Sequence, residues 1–248
     1  MTTKRTSLQF LLATALLLVV AGSLSGYVLL SPRRTWDSAP DYAVDDRGLV
    51  GVTDSTGGVA SVVSAITGNG SWNGAGKGTL IRAHSGSVGG FRLGDNVPML
   101  NFTDPQNACK GTCLAATFTG YYSQRSDGTY RIDDADIVTN TAQPWVSTAE
   151  PDGCSAEYYI EGVMVHETGH AIGLAHSNVS GATMYPSVSA CNNGPASIEN
   201  DDKAAIADLF GGGGGGGCTL LPAGGACSSN AQCCSNSCKG KPGSKTCK

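Results

Sequence analysis

The chain has 248 residues, enough to bury one sizeable core with room for a small appendage. Its net charge is −4 and its Lys and Arg residues form no stripe, which excludes nucleic acid as a partner on electrostatic grounds. Charged residues are sparse at 15%, and ten cysteines, six of them in 218–248, mark a disulfide-bonded chain of an oxidising compartment.

Lys4 and Arg5 precede an apolar run at 8–20, followed by AGSLSG. A charged start, an apolar middle and small residues predict a signal peptide over 1–25, cut after Ser25. The competing reading is an uncleaved anchor prolonged by 27–30, with Arg33 and Arg34 beyond it. Either way the rest of the chain is expected outside the cytoplasm, and a cleaved signal leaves no stable membrane association. TWDSAPDYAV then predicts an early strand, and STGGVASVVSAIT a helix capped by Asp54 or Ser55. GTLIRAHS, VPMLNFT and CLAATFTGYY predict strands; SDG predicts the turn from the last of these to its partner, TYRIDDADIVTN. YYIEGVMVHETGHAIGL has helical periodicity, with Ile160, Val163 and Met164 on one side. SIENDDKAAIADLF predicts a closing helix, with Ser197 and Asn200 as candidate caps. Strands first and helices later give an α+β class, with one helix beneath a mostly continuous sheet. The glycines of 211–217 form a flexible linker reaching roughly 15 Å. Beyond it, 218–248 has almost no large apolar residue and depends on its cysteines. The chain thus divides into 1–25, 26–210, 211–217 and 218–248.

Three of the four histidines fall within HETGHAIGLAHS. On a helix, His166 and His170 lie one turn apart on the same face, close enough to share a metal ion. Had the helix continued, His176 would sit roughly 9 Å further along the axis. Gly173 supplies the stop, because glycine reaches the left-handed conformation at little cost. The spacing is that of a three-histidine zinc site split between a helix and the turn after it. Three neutral ligands leave the ion's charge uncancelled, which lowers the pKa of a bound water towards 7. Glu167, beside the first ligand, is placed to take that water's proton. The chemistry implied is attack of zinc-bound water on a polarised carbonyl, most naturally a peptide bond. His84 stands apart and is read as an ordinary strand or loop residue.

HETGHAIGLAH matches the pattern HExxHxxGxxH, and ATMYP follows eight residues later; together they resemble the metzincin zinc metalloproteases with their methionine turn. Ser177 after the third histidine, and Met184-Tyr185-Pro186, look most like the matrixin branch, the relatives of matrix metalloproteinases. Astacin-like and serralysin-like enzymes carry a tyrosine where this chain has Pro186. The resemblance implies a metzincin, or zincin-like, catalytic domain over 26–210: a twisted mixed sheet, an active-site helix, the methionine turn and a C-terminal helix. It implies one catalytic zinc on His166, His170 and His176, with Glu167 as general base. Met184 would form an apolar floor beneath the ion. Tyr185 and Pro186 would line the pocket for the residue after the scissile bond, and LAATFTGYY would be the edge strand that pairs with an extended protein or peptide substrate.

Family members carry a structural-zinc histidine within LAHAF; here the text is LAATF and Ala116 fills that place, so a second zinc is not expected. A short Cys109–Cys113 disulfide is expected to take over its stabilising role, leaving Cys154 to pair with Cys191. RIDDADIV aligns loosely with a calcium-binding segment, which makes Asp133 and Asp136 candidate calcium ligands. No cysteine precedes Cys109 and no propeptide segment is recognisable, so a cysteine-switch latency is not expected.

The tail spacing C-x₈-C-x₅-CC-x₃-C-x₈-C resembles a knottin. That resemblance favours Cys218–Cys234, Cys227–Cys238 and Cys233–Cys247 around a two- or three-stranded miniature sheet. Its lysines and lack of acidic residues fit either weak docking to an anionic surface or a solvated, protease-resistant cap. The reading as a whole is a secreted, monomeric zinc endopeptidase. The alternatives are an exported binding or inhibitor protein acting through the knottin with a relic metal site, and a zinc amidase acting on non-protein amides.

Overall fold

The computed structural model describes residues 26–89, 92, 94–211, 227, 238–241 and 245–247. The predicted signal segment 1–25, residues 212–217 of the predicted linker and five of the six tail cysteine side chains lie outside them, and with those the three expected tail pairings. In chain order the first elements are strands β1 (Val28–Leu29), β2 (Arg34–Thr35) and β3 (Asp41–Asp45), helix α1 (Val59–Thr67), and strands β4 (Arg82–Gly86) and β5 (Met99–Asn101). Strands β6 (Ala115–Gln124), β7 (Tyr130–Thr139), β8 (Trp145–Val146) and β9 (Tyr158–Tyr159) lead into helix α2 (Ile160–Ala171). Strand β10 (Leu174–Ala175), helix α3 (Asn200–Phe210) and the tail strands β11 (Cys238–Lys239) and β12 (Thr246–Cys247) follow. The tail strands pair antiparallel.

The main sheet is mixed, as an α+β domain of this class requires. Strand β3 lies parallel to both β4 and β5, and β5 lies parallel to β7. Strand β2 adds to the other end of β7, while β6 runs antiparallel along the whole of β7 and has no second strand partner among the described residues. Helices α1 and α2 pack together against the sheet, two helices where the sequence predicted one. The shared core holds Val62 and Ile66 from α1, Ile160 and Met164 from α2, and Tyr42, Leu100, Ile132 and Ile137 from the sheet. Each such side chain contributes about 1.5–3 kcal/mol by leaving water. Trp72, fully buried, ties α2 in place through Nε1, which donates to Val165 O at 2.8 Å.

Both predicted caps differ from those observed. Asp54 spends its carboxylate on the amides of Thr56 and Gly58, so α1 begins one turn later, after Gly58 at φ +80°. Helix α3 is capped by Glu199 rather than by Ser197 or Asn200. The Glu199 side chain accepts from the Asp202 amide and Asp202 accepts from the Glu199 amide, a reciprocal box that satisfies two donors at once. The apolar stretch 27–30, which prolonged a possible membrane anchor, is instead part of the domain: Val28 and Leu29 pair with Ala175 and Leu174. Among the described residues no helix is long and apolar enough to cross a membrane.

Candidate metal centre

Helix α2 carries His166 and His170 on one face and ends at Ala171. Gly173 follows at φ +115°, where a Cβ would lie 2.3 Å from Arg34 O, so both the turn and the close approach of the N-terminal segment require glycine. The chain then reverses through β10 and delivers His176. The three rings converge, with centroids 4.8, 4.8 and 5.3 Å apart.

Each helical imidazole is oriented from behind. His166 Nδ1 lies 2.6 Å from Thr183 O, and His170 Nδ1 lies 2.8 Å from Leu174 O. A neutral ring that donates from Nδ1 to a carbonyl presents its Nε2 lone pair on the other side. Burial favours that neutral form, lowering the pKa of both His166 and His170 to about 4. The Nε2 atoms of His170 and His176 stand 3.2 Å apart. Two nitrogens bound to one tetrahedral zinc at roughly 2.0–2.1 Å would be about 3.3 Å apart. The donor set therefore fits zinc in chemistry, protonation and spacing.

Glu167 lies beside this tripod, 6% exposed where the usual surface glutamate is open to water. Burial raises its carboxyl pKa; His170 and a hydrogen bond from Thr117 act in the opposite sense. Met184 is buried beneath the helix, and Gly169 makes room for it: a Cβ there would lie 2.3 Å from Met184 Sδ and 2.5 Å from Trp72 Cζ2. The methionine turn is held by Asp202, whose carboxylate accepts from the amides of Thr183 at 2.8 Å and Met184 at 3.1 Å. A relay of contacts therefore runs from the start of α3 through the turn to His166.

A cavity of about 470 Å³ opens beside His166 and Glu167, walled by Leu114, Tyr158, Val163, Tyr185, Pro186 and Val188. Tyr185 and Pro186 thus stand at the cleft, and a second hollow along Ala115, Thr117 and Thr119 continues past His170 and His176. The disulfides Cys109–Cys113 and Cys154–Cys191 are both formed, the first at the rim of the cleft. Among the described residues no cysteine is free.

The carboxylates expected as calcium ligands are taken by different neighbours. Asp133 pairs with Arg131 at an irregularity where Gly120 faces Asp134 but Tyr121 faces Ile132. Asp136 instead accepts from the amides of Arg92 and Met99, and its closest acidic neighbour in charge terms is Asp134. His84 is exposed, hydrogen-bonded to Asp41 and remote from the tripod.

The family profile described as Matrixin matches residues 100–211, the stretch that supplies the edge strand, the helix, the tripod and the methionine turn. Over that stretch the chain is matrixin-like. Among curated relatives, Metalloendoproteinase 4-MMP of Arabidopsis thaliana is 29% identical over 83 residues, 34% of this chain and 24% of that protein. Karilysin of Tannerella forsythia is 45% identical over 49 residues, 20% of this chain and 10% of the relative. Neutrophil collagenase of Homo sapiens is 36% identical over 76 residues, 31% of this chain and 15% of the relative. The chain thus spans a quarter or less of the length of these relatives. Within the domain, four contributors escaped the sequence reading: Thr117, Gly169, Trp72 and Asp202. Only Gly169 left a local signal, a glycine inside a helical pattern, which points to close packing.

Proposed function

We propose that this chain is a secreted zinc-dependent endopeptidase, with His166, His170 and His176 holding the ion and Glu167 acting as general base. The observation that carries the reading is the convergence of three imidazoles, two of them braced from behind, next to a buried carboxylate at the foot of an open cleft. Zinc, when bound there, supplies a Lewis acid that polarises the scissile carbonyl and makes water a better nucleophile near neutral pH. The protein does the rest. Glu167 takes a proton from the attacking water and returns it to the departing amine, and burial, by raising its pKa, suits it to both tasks. The edge of β6 that has no strand partner among the described residues offers backbone groups to an extended peptide, and the cavity at Leu114, Val163 and Tyr185 fits an apolar side chain just after the scissile bond. Asp133 and Asp136 remain single carboxylates in this reading, with no calcium invoked.

The formed disulfides support export, since such bonds persist in oxidising compartments. The proposed organisation is a signal at 1–25, a catalytic domain at 26–210, a polyglycine linker at 211–217 and a knottin-like module at 218–248. The β11–β12 pairing and the disulfide-bonded state of Cys227 support the last of these.

The test is Glu167→Ala. Zinc content, measured by plasma mass spectrometry, should stay at one per chain while peptide hydrolysis falls by about a thousandfold. Full activity in the variant, or wild-type protein without stoichiometric zinc, would reject the mechanism.

A further inference from the structure

We propose that Thr117 is a positioning residue for Glu167, fixing one carboxylate oxygen so that the other faces the cleft; this rests on the reading of Glu167 as the proton acceptor. Thr117 Oγ1 lies 2.5 Å from Glu167 Oε2 and 3.0 Å from Glu167 O, so a single hydroxyl touches both the side chain and the backbone of that residue. The hydroxyl hydrogen goes to the carboxylate, the stronger acceptor, in a short charge-assisted bond.

The support is stiff. Thr117 is the third residue of β6 and lies opposite Ile137, and a β-branched side chain on a strand has few χ1 choices. Glutamate is the opposite case, a long side chain with many rotamers that loses much of its freedom when it is fixed. A hydroxyl delivered from the edge strand meets that cost before substrate arrives. Among the described residues, Thr117 is the hydrogen-bond donor to this carboxylate, and it reaches only Oε2. Glu167 lines both hollows of the cleft, which leaves Oε1 for the attacking water. The same strand whose outer edge is proposed to hold the peptide backbone therefore aims the base from its inward side. Binding and proton transfer share one rigid support.

The experiment compares the full chain with Thr117→Val, which keeps the shape and removes the hydroxyl, and Thr117→Ser, which keeps the hydroxyl. Turnover of a quenched fluorescent peptide, zinc per chain, melting temperature and the crystallographic rotamer of Glu167 are read for each. In Thr117→Val, kcat should fall about tenfold to a hundredfold, with KM, zinc content and melting temperature held and the carboxylate swung to another rotamer. Thr117→Ser should recover most of the loss. A valine variant with wild-type kcat, a loss confined to KM, or an unmoved carboxylate overturns the proposal. Should the valine variant fail to fold, the serine variant decides: near wild-type kcat supports the proposal and a tenfold fall overturns it. A wild-type protein that holds zinc but cleaves no peptide would sink the proposed function, while the paired rotamers still judge Thr117.

Discussion

Beside the amides of Arg92 and Met99, the Asp136 carboxyl is held to a pKa of about 7, first by burial and then by the neighbouring charge of Asp134. In the unfolded chain it would lose its proton near the ordinary value of 3.8. Between those values the folded form keeps a proton that the unfolded form has released. The stability this group contributes is therefore complete below about pH 4 and is lost as pH rises through 7. Asp136→Asn removes the titration while keeping an acceptor for one of the two amides. Relative to wild type, the variant should gain unfolding free energy as pH rises from about 4 to about 7 in paired urea titrations. A constant offset would mean that Asp136 is not the source of the slope. The neighbourhood also shows what a single sequence conceals. Asp133 and Asp136 look like companions in RIDDADIV, but the ladder irregularity around Tyr121 separates their partners.

At the scale of elements, helix α2 was legible because its signals are local. Histidines four residues apart, a stopping glycine and an apolar stripe all fall within 160–176, and α2 occupies Ile160–Ala171. The helix starts were harder to read. Asp54 and Ser197 have the right chemistry for caps, yet Asp54 closes its own turn and Glu199 forms a box with Asp202. The partners that brace the site are distant in sequence: Thr117 is 50 residues from Glu167, and Trp72 is 93 from Val165. No periodicity reports such contacts. Gly173 joins the legible and the hidden parts, since its need for positive φ could be read but its contact with Arg34 O could not. Gly173→Ala meets both obstacles, and it should destabilise the zinc-free protein by about 2 kcal/mol or more in chemical unfolding. It should also weaken zinc binding, because His176 rides on the displaced turn. Unchanged zinc affinity would mean that the turn is not what delivers the third imidazole.

For the molecule as a whole, the decisive pairing is that of β1 with β10. Val28 meets Ala175 and Leu29 meets Leu174, and Leu30 N donates to Gly173 O at 2.9 Å. The start of the described chain thus lies against the turn that precedes His176, across nearly the full length of the domain. Contacts of such sequence separation form late and slowly, because a long loop must close before they can stabilise anything. A growing or refolding chain would accordingly carry a helix with two imidazoles in place well before it owns the third. Metal capture at the proposed zinc site would then report completion of the architecture rather than of the helix. In stopped-flow refolding with a zinc-sensitive dye, tight uptake should lag the helical signal and coincide with the final gain of tertiary structure. Uptake that keeps pace with the helix would refute this order. Under the proposed function, hydrolysis would wait on this last step of assembly, and a half-formed domain would have no means of cutting its neighbours.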